Sequence, residues 1–424
     1  MGLLVLDGWR ISTWGDEVTL NYGKALRGYD RIGGRFRVFG TNGPVGWHDE
    51  ALAPGPGVIL GRKGAYRGVH YSPEAFWVID TAYYLTPKSK MNMRWLYYAA
   101  IHYRLGSIDD GSPIPSTTRS AVSVIDFVIP PLHVQDAIAA ILGSLDDKIE
   151  LNRRMNKTLE AMAQAIFRDW FVDFGPTRRK LAGITDPVEI MGGLVQDASR
   201  AAELAKLFPD GLDDSGLPEG WTEKPLGEIV EIVGGSTPST KVPEYWNDGV
   251  HPWATPKDLS NNRTIFLHKT ERKITDFGLQ CISSGLSPAG SVLLSSRAPI
   301  GYLAIADKPT AVNQGFIVMR PSPTFPTEMA YLWCQANMDL IKANANGSTF
   351  QEISKGNFRR LVAIYPTPEL VSAFVSVAKP LFAMICAREQ ESETLAATRD
   401  LLLPKLMSGE IRLREAEKIA EAAQ

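Results

Sequence analysis

The chain has 424 residues, of which 44% are hydrophobic and 22% charged, and a formal net charge of −2. This composition excludes a disordered or fibrous chain and allows two or three domains, while near-neutrality taken alone argues against a nucleic-acid partner. Charges interrupt the apolar runs before the ~18–20 residues of a membrane span, and the N-terminus lacks the regions of a signal peptide, so a cytoplasmic protein with no membrane partner is expected.

In chain order, the first stretch is basic. Residues 1–105 carry about thirteen bases against about eight acids, and the acids concentrate later, notably over residues 186–214. Short β-rich runs (Val58-Ile59-Leu60 and Phe76-Trp77-Val78-Ile79) lie among many glycines, with one helical patch near residues 91–103, which suggests a mixed domain over 1–130. An apolar strand then breaks at Pro130-Pro131. Beyond it, residues 131–173 contain a single glycine, Gly143, and no further proline until the end, which predicts one long helix. Every third or fourth position gives Ile138, Leu142, Leu145, Ile149, Asn152, Asn156, Leu159, Ala163, Ile166 and Trp170, a coiled-coil seam with two polar interruptions. At about 1.5 Å per residue it would span roughly 55–60 Å. Asp173-Phe174-Gly175-Pro176 stops it, and a polar, acidic connector with one short helix near 198–207 fills 174–218.

The rest of the chain repeats the first part. Gly8-Trp9 and Gly15-Asp16-Glu17-Val18 match Gly220-Trp221 and Gly227-Glu228-Ile229-Val230 at an offset of 212. Gly111-Ser112-Pro113 matches Gly347-Ser348-Thr349 at 236, and that offset holds through Val128-Ile129-Pro130 against Ile364-Tyr365-Pro366 and into the helices. A second domain over 219–367, a second long helix over 368–407 and a tail over 408–424 follow. The second seam runs through Leu370, Phe374, Val377, Leu381, Ile385, Ser392, Leu395 and Leu402. Each apolar stripe must be buried, and the simplest partner for one is the other. The expected fold is α+β: two α/β domains separated by two long antiparallel helices forming a coiled coil, with an internal pseudo-two-fold repeat.

Catalytic patterns are missing. There is no phosphate-binding G-x-x-x-x-G-K-[ST] loop, H-E-x-x-H zinc helix or G-x-S-x-G elbow, nor the Asp-Pro-Pro-Tyr type tetrapeptide with which amino-methyltransferases hold a base. The six histidines show no metal-ligand spacing and read as surface or capping residues. Cys281, Cys334 and Cys386 are too widely spaced for a disulfide framework or paired-cysteine metal site, and read as buried thiols. Asp146-Asp147 and Glu150 read as a solvated helix face.

The loops offer binding chemistry instead. Arg27-Gly28-Tyr29-Asp30-Arg31, Thr41-Asn42-Gly43 and Gly61-Arg62-Lys63-Gly64 combine cations, amides and aromatics with glycine turns suited to phosphates and base edges. In the second domain an arginine recurs in the turn Ser295-Ser296-Arg297-Ala298-Pro299-Ile300-Gly301, and Gly234-Gly235-Ser236-Thr237-Pro238-Ser239 answers Asn21-Tyr22-Gly23-Lys24. Asn313-Gln314-Gly315 suits adenine and equally suits capping a strand.

Tyr22-Gly23-Lys24-Ala25-Leu26, Thr41-Asn42-Gly43-Pro44-Val45-Gly46, the Arg62 and Arg297 turns, Lys148-Ile149-Glu150-Leu151-Asn152-Arg153-Arg154-Met155-Asn156 and the closing Lys405-Leu406-Met407-Ser408-Gly409-Glu410-Ile411 together resemble the DNA-specificity subunit of type I restriction–modification systems over nearly the whole chain. The resemblance implies a non-catalytic subunit whose two target-recognition domains each read part of a split sequence in double-stranded DNA. Its helices would act as a ruler, docking modification subunits, two in number, with restriction subunits completing the complex. S-adenosylmethionine, ATP and Mg2+ would be bound by those partners and no cofactor by this chain.

Candidate DNA contacts are Arg27, Tyr29, Arg31, Asn42, Arg62 and Lys63 in the first domain, and Ser236, Thr237, Lys241, Thr255, Lys257, Arg297 and Asn344 in the second. Candidate helix-pair and subunit-interface positions are Leu142, Leu145, Ile149, Asn152, Asn156, Leu159, Ile166, Phe374, Leu381, Leu395 and Leu402. The alternatives are a coiled-coil assembly scaffold with lobes that do not bind DNA, and the specificity subunit of an orphan methylation system without a nuclease.

Overall fold

The computed structural model describes residues 8–29, 33–109, 111, 115–260, 264–347 and 351–424. The chain forms two compact units, Met1–Leu151 with Glu391–Gln424, and Asn152–Gln390. Each boundary falls within a long helix, Leu132–Phe171 or Pro368–Ser408, so each unit holds one mixed domain and half of each helix.

In unit one, β1 (Arg10–Thr13) pairs antiparallel with β9 (Asp126–Ile129). Between them in sequence lie β2 (Val18–Tyr22), β3 (Phe36–Gly40), β4 (Gly43–His48), β5 (Gly57–Gly61), β6 (Val69–Ser72), β7 (Phe76–Val78) and β8 (Ala82–Pro87). They form a four-stranded antiparallel sheet, β2-β8-β5-β6, and a three-stranded sheet, β4-β3-β7, in which β3 and β7 run parallel. Every residue of β5 is buried. That burial on both faces explains why Val58-Ile59-Leu60 is continuously apolar rather than alternating. The helix Met93–His102, capped by the Asn92 side chain, packs Trp95, Leu96 and Tyr98 into the same core as Trp14, which stacks on Phe127 with ring centroids 4.1 Å apart.

The long helices enter this core too. Leu142, Leu145, Leu395 and Leu402 are fully buried and Ile149 packs beside them. Of the acids expected on a solvated face, Asp147 is exposed and Asp146 is half-buried, and both are held by residues distant in sequence. Tyr98 Oη donates to Asp146 at 2.6 Å, Arg399 Nη1 donates to its other oxygen at 2.7 Å, and Arg94 grips Asp147 with two bonds of 2.8 Å. The terminal residues, expected as a tail, form the helix Leu413–Ala423, with Ala416 and Ala420 buried in the core.

Unit two repeats the plan. Here β10 (Thr222–Pro225) pairs with β19 (Val362–Tyr365). The offsets of 212 and 236 carry the pair Arg10–Ile129 onto Thr222–Tyr365, so the repeat is kept to the residue in strand register. The intervening strands are β11 (Glu231–Val233), β12 (His251–Ala254), β13 (Phe266–Leu267), β14 (Arg272–Ile274), β15 (Val292–Ser295), β16 (Leu303–Ala306), β17 (Ala311–Val312) and β18 (Phe316–Arg320). They form sheets β11-β18-β15-β16-β13 and β14-β12-β17, the same orders as in unit one with β13 added at one edge.

The connector departs from expectation. It forms three helices, Gly175–Leu181, Pro187–Ile190 and Ala198–Ala205, whose Ile190, Met191 and Leu204 join Trp170, Phe208, Trp221 and Phe374 in the core of unit two. Its acids disguised this. Asp186 and Asp197 are N-caps, accepting from Glu189 N and Arg200 N, so two of the exposed acids mark helix starts.

Along the helix pair in unit two, Leu159, Ile166 and Phe374 are buried and Leu381 is half-buried. Asn152 Nδ2 donates to the Arg388 carbonyl at 3.5 Å and Asn156 Nδ2 to that of Ile385 at 3.4 Å, which makes the pair antiparallel. Asn152 and Arg388 are 236 apart, the repeat offset itself. Each therefore meets its own equivalent, as a two-fold relation between the helices requires.

The second helix also corrects the reading of apolar runs, because an 18-residue stretch of it reaches a mean hydropathy of 1.9, enough by composition to cross a membrane. Its stripe, Leu370, Phe374, Phe382 and Ile385, is packed in the core of unit two, while 39% of the apolar stretch as a whole is buried. Of the cysteines, Cys334 is buried, Cys386 half-buried and Cys281 exposed, so only the first fits the expected buried thiol.

Arg10 and Glu17 hold β1 to the turn that follows it, with Nη2 and Oε2 2.7 Å apart. The Arg10 hydrogen bonds pull the Glu17 carboxyl from an ordinary 4.5 down to about 2. Because the folded value is the lower one, this stabilisation is complete above about 4.5 and is lost as pH falls toward 2. Glu17→Gln is expected to lower stability at neutral pH and to flatten the pH dependence within that window, as measured by urea unfolding at a series of pH values.

Candidate nucleic-acid interface

Both units gather loops from four strands at one end of their sheets. In unit one these follow β2, β3, β5 and β7. Lys24 N donates to Val78 O at 2.8 Å, Gly68 N to Thr41 O at 2.9 Å, Thr41 Oγ1 to Lys63 O at 2.7 Å, and Arg62 N to Thr81 O at 2.9 Å. A Cβ on Gly23 would lie 2.0 Å from the Ile79 carbonyl, so only glycine lets these loops meet. In unit two, Gly235, at the 212 offset, would meet the Val312 carbonyl at 1.7 Å. The following residues, Lys24 and Ser236, each accept an indole N–H on the carbonyl, from Trp77 at 3.0 Å and Trp253 at 3.2 Å.

On this frame the first-domain candidates divide. Arg27, Asn42 and Lys63 are exposed, and Asn42 sits at the β3–β4 turn before Gly43, whose φ is +107°. Tyr29 is half-buried, its carbonyl accepting from Trp47 N at 3.0 Å. Arg31 lies outside the described residues. Arg62 is a brace: Nη1 donates to the Asp80 carbonyl at 2.9 Å, and the guanidinium lies over Tyr22 and Tyr83 at 5.0 and 5.8 Å. Beside this turn stand two residues the sequence reading passed over. Tyr66 is 80% exposed, and Arg119 covers Tyr22 at 3.9 Å. Tyr66 had a legible signal, since it stands between Gly64 and Gly68, close after Arg62-Lys63. Arg119 had none, because its stacking partner is distant in sequence.

In unit two, Thr237 Oγ1 donates to Gln314 Oε1 at 2.7 Å and Ser236 Oγ to the Cys281 carbonyl at 3.3 Å. Asn313 N donates to Ala254 O at 3.0 Å and Ser296 N to Gly315 O at 2.8 Å, so the ends of β11, β12, β15 and β17 converge. The ambiguous Asn-Gln pair separates by role: Asn313 Oδ1 caps Gly315 N at 2.8 Å, whereas Gln314 reaches the neighbouring loop. Other candidates are committed locally. Thr255 bonds Asp258 through both N and Oγ1, Lys257 pairs with Glu271 at 2.8 Å, Arg297 lies 3.6 Å from Glu352, and Asn344 Nδ2 turns back to Leu340 O at 2.9 Å. Lys241 is exposed.

The histidines also depart from the surface reading. His48 does accept from Glu50 N in a turn, but burial holds the His70 imidazole below its usual value. The His268 side chain is only 6% exposed, between Asp307 and Glu389.

The family profile described as "Type I restriction modification DNA specificity domain" matches residues 20–161 and 218–369, which are the two repeats. The chain is 32% identical over 330 residues to the specificity subunit of the type I restriction enzyme HindI of Haemophilus influenzae, covering 70% of this chain and 71% of that protein. It is 38% identical over 181 residues to the MjaIX specificity subunit of Methanocaldococcus jannaschii, 42% of each chain. Its fold matches the crystal structure of a type I restriction–modification S subunit from M. genitalium, with a TM-score of 0.58 and 15% identity over 94% of this chain and 96% of that one. The chain belongs to the type I restriction–modification DNA-specificity family, whose members are non-catalytic subunits.

The roles of Arg62 and Lys63 can be separated by stability alone. Arg62→Ala, which removes a carbonyl bond and two ring contacts, is expected to cost unit one about 1–2 kcal/mol, and Lys63→Ala to stay within about 0.5 kcal/mol of the parent. Chemical denaturation of both variants checks this.

Proposed function

We propose that this chain reads a split, asymmetric DNA target, one part through each strand-end platform, and docks the modification and restriction subunits of a type I complex. The observation that carries the reading is the pairing of Gly23 with Gly235: the same backbone platform recurs at the 212 offset while the side chains on it differ. A shared frame with divergent side chains suits two readers of two different half-sites.

Unit one offers cations and an exposed tyrosine, suited to phosphate contact and base stacking. Unit two offers hydroxyls and the Gln314 amide, suited to base edges. S-adenosylmethionine, ATP and Mg2+ would belong to partner chains, two modification subunits among them, in the cytoplasm. Exposed apolar residues on the helices, Leu151, Met155, Met162 and Leu401, are surfaces that such partners could cover.

Co-expression with the cognate modification subunit, followed by mapping of methylated adenines, tests the reading. A bipartite motif with an unread spacer supports it; methylation without sequence preference overturns it. In salt-dependent binding, Lys63→Ala is expected to weaken all sequences alike and lower the slope by about one, whereas Gln314→Ala should lose about 1–3 kcal/mol of discrimination at one position.

Helices of 40 and 41 residues support a ruler role. Deleting one turn, about four residues, from each is expected to shorten the spacer while leaving both half-sites unchanged. Methylome sequencing of that variant reads both quantities.

A further inference from the structure

The DNA reading leaves unused a buried cluster in unit two. His268, just after β13, has Nδ1 3.0 Å from Asp307 Oδ2 and Nε2 3.1 Å from Glu389 Oε2. Cys386 Sγ is 3.6 Å from the other Asp307 oxygen, and the nitrogen, oxygen and sulfur of His268, Asp307 and Cys386 all lie within 4.8 Å of one another. Glu389, with 4% of its side chain exposed, is itself fixed by Ile265 N at 2.8 Å and Phe266 N at 3.1 Å.

We propose that His268 Nδ1, the Asp307 carboxylate and the Cys386 thiolate bind one zinc-type divalent ion, with Glu389 as the outer carboxylate that orients the imidazole through Nε2. Tetrahedral zinc with N, O and S ligands places donor atoms about 3.3–3.6 Å apart; the sulfur and one Asp307 oxygen already stand 3.6 Å apart, and the three donors, within 4.8 Å of one another, would draw together around the ion. A metal-bound histidine typically gives its second N–H to a carboxylate, which is the role Glu389 is built to fill. Cys386 and Glu389 stand three residues apart on one helix, and so share a face.

The thiol distinguishes this site from a plain ion triad. An imidazole between two carboxylates is already satisfied, and a thiol beside them adds little to it, whereas sulfur selects for soft metals. Gln390, one turn beyond Cys386, closes the cluster, with its amide 3.3 Å from Asp307. The ion would fasten the β13 edge and the β16–β17 turn to the second long helix.

The test uses the full chain without a polyhistidine tag, stripped with a chelator and titrated with Co2+. The expected result is one equivalent giving thiolate-to-cobalt charge-transfer absorption and the visible bands of four-coordinate cobalt, displaced by Zn2+. Cys386→Ser should abolish the absorption while Cys281→Ser keeps it, and Glu389→Gln should weaken binding about 10–100-fold. Absence of the charge-transfer band, or its survival in folded Cys386→Ser, overturns the proposal. Should Cys386→Ser fail to fold by circular dichroism, native mass spectrometry of the unsubstituted chain decides: uptake of one Zn2+ supports the site and no uptake overturns it.

Discussion

A helix of about forty residues with a single apolar stripe cannot be stable in water unless something covers the stripe along its length, and much of this structure follows from that constraint. The two long helices cover each other antiparallel, and each mixed domain adds its core to the half of the pair it contains. Leu142, Leu145, Leu395 and Leu402 belong to the core of unit one, and Leu159, Ile166 and Phe374 to that of unit two. The bond from Asn152 to the Arg388 carbonyl joins two positions separated by the repeat offset, where an apolar stripe alone would tolerate a slip.

Duplication explains what is shared between the units and what is not. The strand orders and the β1–β9 and β10–β19 registers are set by backbone pairing and by glycines pressed against carbonyls, neither of which depends on the identity of surface side chains. Those features survived divergence. The side chains on the strand-end loops are free of that constraint: Lys24 stands where Ser236 does, and each carbonyl accepts an indole N–H, but from tryptophans on non-equivalent strands, Trp77 on β7 and Trp253 on β12.

Polar groups were the least legible part of the sequence. Asp147 is exposed, as its place on a helix suggested, but its bond to Arg94 and those of Asp146 to Tyr98 and Arg399 could not be read, because the partners are distant in sequence and charge on a helix carries no mark of what it will meet. Arg62, a candidate DNA contact, has structural partners that the sequence did not show, since its Nη1 donates to the Asp80 carbonyl and its guanidinium lies over Tyr22. Two of the connector acids, Asp186 and Asp197, are exposed helix caps, a role that the acidic composition did not reveal. In each case the residue type was read correctly and its partner could not be.

By itself the sequence determined the two-fold repeat, the long helices with their seams, the alternation of domain and helix, and the family. These rest on periodicity and offset, which are properties of the chain. Tertiary structure decided which candidates converge, that Tyr66 stands exposed beside the basic turn while Arg62 braces it, and that His268, Asp307 and Cys386 meet at all. The physical reason is common to all three. Side-chain chemistry depends on neighbours brought together from distant segments, and no local pattern encodes that meeting.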